Sequence, residues 1–396
     1  MGFEIDTRIP YGNACDVAVE AAGQTVEISF APDPHGGPET LWFCFRVALQ
    51  SVPALSDTRV TELRLVLKQS YNMLGGQDPR AMRPVVRYDE GAWRRLPQGT
   101  LRELPDGRTD VVWSVAPPVH QMDVAYCYPY GMDEVRALIA KTGDVYTLDT
   151  IGVSQGARPL VRLSNDYGEE SGQRLGLYLM ARQHSGETPG SWVLDGFLRA
   201  MGARGGEAPL IWAVPLANID GVEGGDYGKD NFPYDLNRAW GRPPMRHEIS
   251  VLQRDVWRWR SRCHPVLAID FHAPGACEAG GVYVYIPDPD TDRGAHEMML
   301  DWAARTGDAL TPRYAAESFA RVARYPSRWE TPSFRDYLWT QLGVPCITFE
   351  TPYALAGERV LTQTDYCEIG QRIAEGVMRG IEVKNRGGSQ SEDTCG

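Results

Sequence analysis

Over its first 120 residues the chain alternates apolar and polar positions in short runs. QTVEISF, LWFCFRVAL, RVTELRLVLKQ, PVVRYD and TDVVWSVAP repeat with period two, and clusters such as PDPHGGPE and LGGQDPR separate them with turn-forming residues. Runs of this kind turn one face to a core and the other to water. They predict an N-terminal antiparallel β-sandwich over 1–120. Beyond residue 120 the rhythm changes. LGLYLMARQ, PLIWAVPLAN, PVLAIDFHA, GVYVYIP and PCITFETP read as fully buried apolar runs, as strands covered on both faces do, with amphipathic stretches between them. Within 245–262, Ile249, Leu252, Val256 and Trp259 share one helical face, and Ile369, Ile373, Val377 and Ile381 recur at every fourth position near the end. Strands alternating with helices predict an α/β domain over 121–386, built on a mixed, largely parallel sheet. From Gly387 the polar sequence GGSQSEDTCG predicts a disordered tail, 387–396.

Composition narrows the class without changing the fold. The length of 396 residues has room for two domains, and 43% hydrophobic with 23% charged residues is ordinary for a soluble globular chain. A net charge of −12 argues against a nucleic-acid surface. No apolar run approaches the length of a membrane span, and MGFEIDTRIPYG lacks the basic and apolar regions of a signal peptide. Asp6 stands where a myristoylation signal from Gly2 needs Ser or Thr. Eight cysteines are scattered with no C-x-x-C pair, the pattern of reduced thiols. These features predict a soluble cytoplasmic protein with no nucleic-acid or membrane partner. They leave the oligomeric state open.

The candidate chemistry lies in ARQHSGETPGSW and AIDFHAP. His184 and Glu187 follow one buried run and precede a helix that Thr188 can cap, with Pro189 in its first turn. His272 ends another buried run, and Asp270, two residues earlier, can orient an imidazole from behind. The carboxyl ends of strands in an open α/β sheet are where ligands gather. Two imidazoles and one carboxylate form a hydrolytic zinc set with one coordination position open, which implies one Zn²⁺ per chain. His35, His120, His247, His264 and His296 read as ordinary surface or core histidines. The helical H-E-x-x-H motif is absent.

The stretches AYCYPYGMDEV, IGVSQGARPL, ARQHSGETPGSW, ANIDGV, DLNRAW, AIDFHA and ITFETPY, in that order over about residues 120–380, resemble the zinc metallocarboxypeptidases, and within them the cytosolic-carboxypeptidase-like branch. The resemblance implies a β-sandwich ahead of a carboxypeptidase domain, with His184, Glu187 and His272 as zinc ligands. It implies that Glu350 is the general base acting on a zinc-bound water, and that Asn237 and Arg238 grip the substrate's terminal carboxylate. Arg335 matches a basic side chain in the pocket for the C-terminal residue, which favours Glu or Asp there. The family's usual oxyanion arginine has no counterpart in EGGDYGKDNFPY, where Lys229 is the nearest cation and is assigned to catalysis. Tyr325 and Tyr337 are the two candidates for a tyrosine closing over substrate. The expected substrate is a peptide or protein C-terminus. The alternative is an aspartoacylase-like zinc amidohydrolase acting on a small N-acyl amino acid.

Overall fold

A computed structural model of the protein describes residues 2–50, 60–231, 233–324 and 328–389. The N-terminal runs form strands β1 (Gly2–Asp6), β2 (Cys15–Ala22), β3 (Thr25–Ala31), β4 (Cys44–Gln50), β5 (Glu62–Leu67), β6 (Val85–Tyr88), β7 (Arg94–Arg95), β8 (Thr100–Glu103), β9 (Thr109–Val115) and β10 (Gln121–Ala125). They make two five-stranded sheets, ordered β1-β4-β10-β6-β7 and β2-β3-β5-β9-β8. Period two sorts the side chains: in β3, Val26, Ile28 and Phe30 are buried while Glu27 and Ser29 between them are not fully so. Phe30 meets Phe43 and Phe45 edge-on, with centroids 5.0 and 4.7 Å apart, and so joins one sheet to the other.

Two features differ from expectation. β3 and β5 pair parallel, whereas all the strands were expected to be antiparallel. The chain leaves β3, runs through β4 in the other sheet and returns, so β5 re-enters in the same direction. The first sheet also takes β10, its central strand, from just beyond residue 120.

The second half contains α1 (Met132–Lys141), β11 (Thr147–Val153), β12 (Pro159–Ser164), β13 (Leu175–Ala181), α2 (Thr188–Gly202), β14 (Leu210–Val214), α3 (Ile219–Gly224) and α4 (His247–Arg262). It continues with β15 (His264–His272), β16 (Val282–Ile286), α5 (Arg293–Leu310), β17 (Ala315–Val322), α6 (Phe334–Tyr337), β18 (Cys346–Glu350), a hairpin of β19 (Leu355–Ala356) and β20 (Arg359–Val360), and α7 (Gln363–Ser389). Eight strands form one sheet, ordered β11-β12-β14-β13-β15-β18-β16-β17. Its centre, β14-β13-β15-β18, is parallel, and antiparallel pairs flank it. The uninterrupted apolar runs are explained by β13: Leu177 and Leu179 enter one core, while Tyr178 and Met180 enter the core on the opposite face. Ile249, Leu252, Val256 and Trp259 of α4 seal the latter, and Ile369, Ile373, Val377 and Ile381 of α7 the former. The helical backbone of α7 runs to Ser389, into the first residues of the expected tail, and 390–396 lie outside the described residues.

The larger core does not stop between the two halves. Phe43 contacts Tyr126 at 5.5 Å, and Tyr126 contacts Tyr353 at 4.9 Å, which links the N-terminal sheets to the strands beneath the site. Among the described residues all seven cysteines are free thiols, and no helix is long and apolar enough to cross a membrane.

Candidate metal centre

The parallel strands β13, β15 and β18 end at one edge of the sheet, and the predicted ligands meet there. His272 is the last residue of β15 and lies in register with Glu350, the last of β18. His184 and Glu187 come from the turn after β13. Arg182 opens that turn with φ +62, and its buried guanidinium donates from Nε to Ser185 O (2.6 Å) and from Nη1 to Tyr130 O (2.9 Å). Thr188 does not cap α2. Glu187 holds the capping position, Thr188 is the first helical residue, and the Thr188 hydroxyl has no partner. The Glu187 carboxylate is turned away from the helix, toward the imidazoles.

His184 Nδ1 lies 2.9 Å from Glu187 Oε1, and His272 Nδ1 lies 2.7 Å from Oε2. The Ala273 N–H also donates to Oε2, at 3.1 Å. The outer nitrogens face carboxylates: His272 Nε2 is 2.9 Å from Asp270 Oδ2, and His184 Nε2 is 3.2 Å from both oxygens of Asp235. Asp270 was foreseen and Asp235 was not, although it is the first residue of DLNRAW. Asp235 is held in turn by the Asp230 and Asn237 N–H groups at 3.0 and 2.7 Å. Carboxylates behind both imidazoles leave both Nδ1 atoms facing inward as lone-pair donors, with Glu187 between them. The three donor groups lie within 4.8 Å of one another, and all three residues are buried. The set fits a dication.

The electrostatics agree with the geometry. Burial alone would raise Glu187, but the flanking His184 and His272 hold it well below the usual carboxylate range. Burial opposes a charge on His184, yet Asp235 and Glu187 outweigh it and push it up to about 9. These protons stand where a cation would, and a cation displaces them.

Glu350 is different. Burial raises it, His272 pulls it down and Glu187 pushes it up again, with a net result of about 7. Its Oε2 has no protein partner. It shares a cavity of about 270 Å³ with the three ligands and with Lys229, Arg238 and Arg335. Lys229 is buried, which disfavours its charge, but Glu187, Glu350 and Glu39 more than compensate and raise it. Arg238 Nη1 donates to Asn237 O at 2.9 Å, and Arg335 is paired with Asp336 at 3.1 Å. Asn237 also lines the cavity, with both ends of its amide engaged: Nδ2 lies 3.3 Å from Asp270 Oδ2, and Oδ1 accepts from Phe334 N–H at 3.0 Å.

All eight predicted site residues therefore border one cavity. Glu278, Tyr283 and Tyr285 border it as well and were not foreseen. The β16 run that carries the tyrosines reads only as an apolar strand. Tyr337 is not a lid. It is buried, accepts from Trp257 Nε1–H at 3.0 Å and packs 5.4 Å from Trp240. Tyr325 lies outside the described residues.

Comparison with known proteins gives a consistent picture. The chain is 30% identical to mouse cytosolic carboxypeptidase 6 over 287 residues, covering 65% of this chain and 51% of that protein. It is 26% identical to Xenopus tropicalis cytosolic carboxypeptidase 2 over 318 residues, covering 72% of this chain and 31% of that protein. The chain thus spans about half or less of the length of these curated relatives. A metallo-carboxypeptidase from Burkholderia cenocepacia superposes with a TM-score of 0.75 at 16% identity, covering 97% of this chain and 100% of that one. One from Pseudomonas aeruginosa, solved with (2-guanidinoethylmercapto)succinic acid, gives 0.71 at 17% identity over 96% and 99%. No family model matches the chain.

Proposed function

We propose that this chain, cytosolic-carboxypeptidase-like in sequence and a metallocarboxypeptidase in fold, is a zinc-dependent enzyme that removes the C-terminal residue of a peptide or protein. One observation carries the reading. A buried donor set of two imidazoles and a carboxylate, each imidazole backed by a further carboxylate, opens into a cavity shared with three cations and with Glu350, whose Oε2 has no protein partner. His184, Glu187 and His272 would hold the zinc ion, which supplies Lewis acidity toward a carbonyl and makes a water more acidic. Glu350 takes the water's proton and returns it to the leaving amine. Lys229 supplies a positive charge opposite the developing oxyanion, in the place of an arginine. Arg238, beside Asn237, takes the substrate's terminal carboxylate through its planar fork. Arg335 favours an acidic side chain on the departing residue, with Asp336 tempering its charge. The amidohydrolase alternative is not favoured, since the curated relatives are carboxypeptidases by name.

On this reading residues 121–386 are the catalytic domain and 1–120 an accessory β-sandwich domain. The free thiols and the relatives' cytosolic names support a cytoplasmic setting. The test is zinc quantification combined with mass spectrometry of a C-terminal peptide library. Wild type is expected to bind one zinc and release C-terminal residues, Glu and Asp ahead of Leu and Phe. Glu350→Gln is expected to keep its zinc and lose about 10²–10⁴-fold in kcat. A fully active Glu350→Gln would remove Glu350 from the role of base, and faster release of Leu or Phe would remove the acidic preference.

A further inference from the structure

The N-terminal sheets touch the second half of the molecule at a place that matters for chemistry. The loop between α3 and Asn237 carries Lys229, a cation of the cavity, and Asp235, the carboxylate behind His184. Two side chains of the N-terminal region bond to this loop directly, and a third reaches it through Arg328. The buried Asn13 donates from Nδ2 to Gly225 O at 2.8 Å. His35 Nδ1 lies 2.6 Å from Asp226 Oδ1. Glu39 Oε1 lies 3.2 Å from Arg328 Nη2, whose Nη1 is 2.9 Å from Asp230 Oδ2. The Glu39 and Asp230 side chains are each only 14% exposed, so this bridge is shielded at both carboxylates. Gly225 has φ +71, and a Cβ there would stand 2.4 Å from Gly12 O, so the two backbones meet directly. Next to these contacts Trp42 backs the metal turn, where a Cβ on Gly186 would come within 3.0 Å of Trp42 Cβ. The segment PDPHGGPETLW, residues 32–42, thus brings His35, Glu39 and Trp42 to these two loops.

We propose that the N-terminal loop 33–42 is a brace for the catalytic loop 225–235, and that Glu39 is a positioning residue acting through Lys229. The inference rests on the role given to Lys229 above. The physical case is that Lys229 has a long, flexible stem and works only if its loop is fixed, because small misplacements of a catalytic group cost large factors in rate. The described residues between α3 and the turn at Leu236–Arg238 belong to no helix or strand, so fixation has to come from their neighbours. Glu39 offers one of its oxygens to Arg328, and Arg328 ties Asp230, the residue next to Lys229, to the same point.

A double-mutant cycle on the full-length, zinc-loaded chain tests this with Glu39→Gln, Lys229→Met and the pair, assayed on one peptide substrate. Glu39→Gln is expected to lower kcat about ten-fold, with KM, zinc content and Tm close to wild type. In the Lys229→Met background the same change is expected to have less than about a two-fold effect, because the group it positions is gone. His35→Asn probes the other end of the brace and is expected to behave alike, with a smaller loss. An unchanged kcat in Glu39→Gln, or an equal loss in both backgrounds, would overturn the proposal. If Lys229→Met is strongly impaired while Glu39→Gln is not, only the brace falls. If Lys229→Met keeps its full kcat, the oxyanion role and the brace fall together.

Discussion

At the scale of single residues, the proposed mechanism needs Glu350 ionised to accept a proton, and its surroundings oppose that. Burial pushes it up to about 7, and a dication held by His184, Glu187 and His272 would pull it down. On that mechanism the active form is the deprotonated one, so kcat/KM is expected to rise with pH along an acid limb whose midpoint lies at or below about 7. A pH–rate profile checks this. A limb that falls with rising pH through that range would mean Glu350 works as the acid in the rate-limiting step. Asp235 acts one bond further out. Its carboxylate faces the outer nitrogen of His184, so on the proposed zinc reading Asp235→Asn is expected to weaken zinc about 10–100-fold while leaving His184, Glu187 and His272 in place. Competition against a chelator of known affinity measures that loss, and an unchanged zinc Kd would reduce Asp235 to a loop anchor.

At the scale of elements, the site depends on how closely α2 approaches β15. Gly190, in the first turn of α2, leaves room for that approach: a Cβ there would lie 2.5 Å from Phe271 O and 3.3 Å from His272 N. Those atoms are backbone and cannot swing aside. Gly190→Ala is therefore expected to cost about 1–3 kcal/mol of stability by overpacking, and to loosen zinc by moving Glu187 away from His272. Melts with and without zinc read both effects, and a wild-type Tm and zinc affinity would contradict them. The same elements show what the chain reveals by itself. His184, Glu187, His272 and Glu350 are legible because His272 and Glu350 end apolar runs and His184 and Glu187 lie in the turn just after one, and strand ends at one sheet edge are neighbours whatever the loops do. Asp235 escaped because its place behind His184 depends on an irregular loop folding back, which leaves no periodicity. The parallel pairing of β3 with β5 was hidden for a related reason: alternation fixes which face a residue shows, not which strand lies beside it. Thr188 has the chemistry of a cap, and Glu187 takes that position because its carboxylate is drawn to the two imidazoles.

At the scale of the whole molecule, the two halves share a core. Phe43, Tyr126, Phe271 and Phe349 belong to one buried cluster, so the N-terminal sheets and the near face of the large sheet have no separate interiors to lose one at a time. Polar ties repeat the connection: Tyr126 OH donates to Ala276 O at 2.7 Å, and Arg95 Nε donates to Leu361 O at 2.7 Å. Calorimetry of the full chain is expected to give one cooperative unfolding transition with matching calorimetric and van't Hoff enthalpies. Zinc held at the sheet edge, as proposed, would then stabilise the entire cooperative unit, by about 2.7 kcal/mol at a free concentration of a hundred times Kd, and shift that one transition upward. Two resolved transitions, with zinc moving only one of them, would mean that the sheets melt independently. The aromatic contacts that pass through Tyr126 would then be packing between separate domains and not a common core.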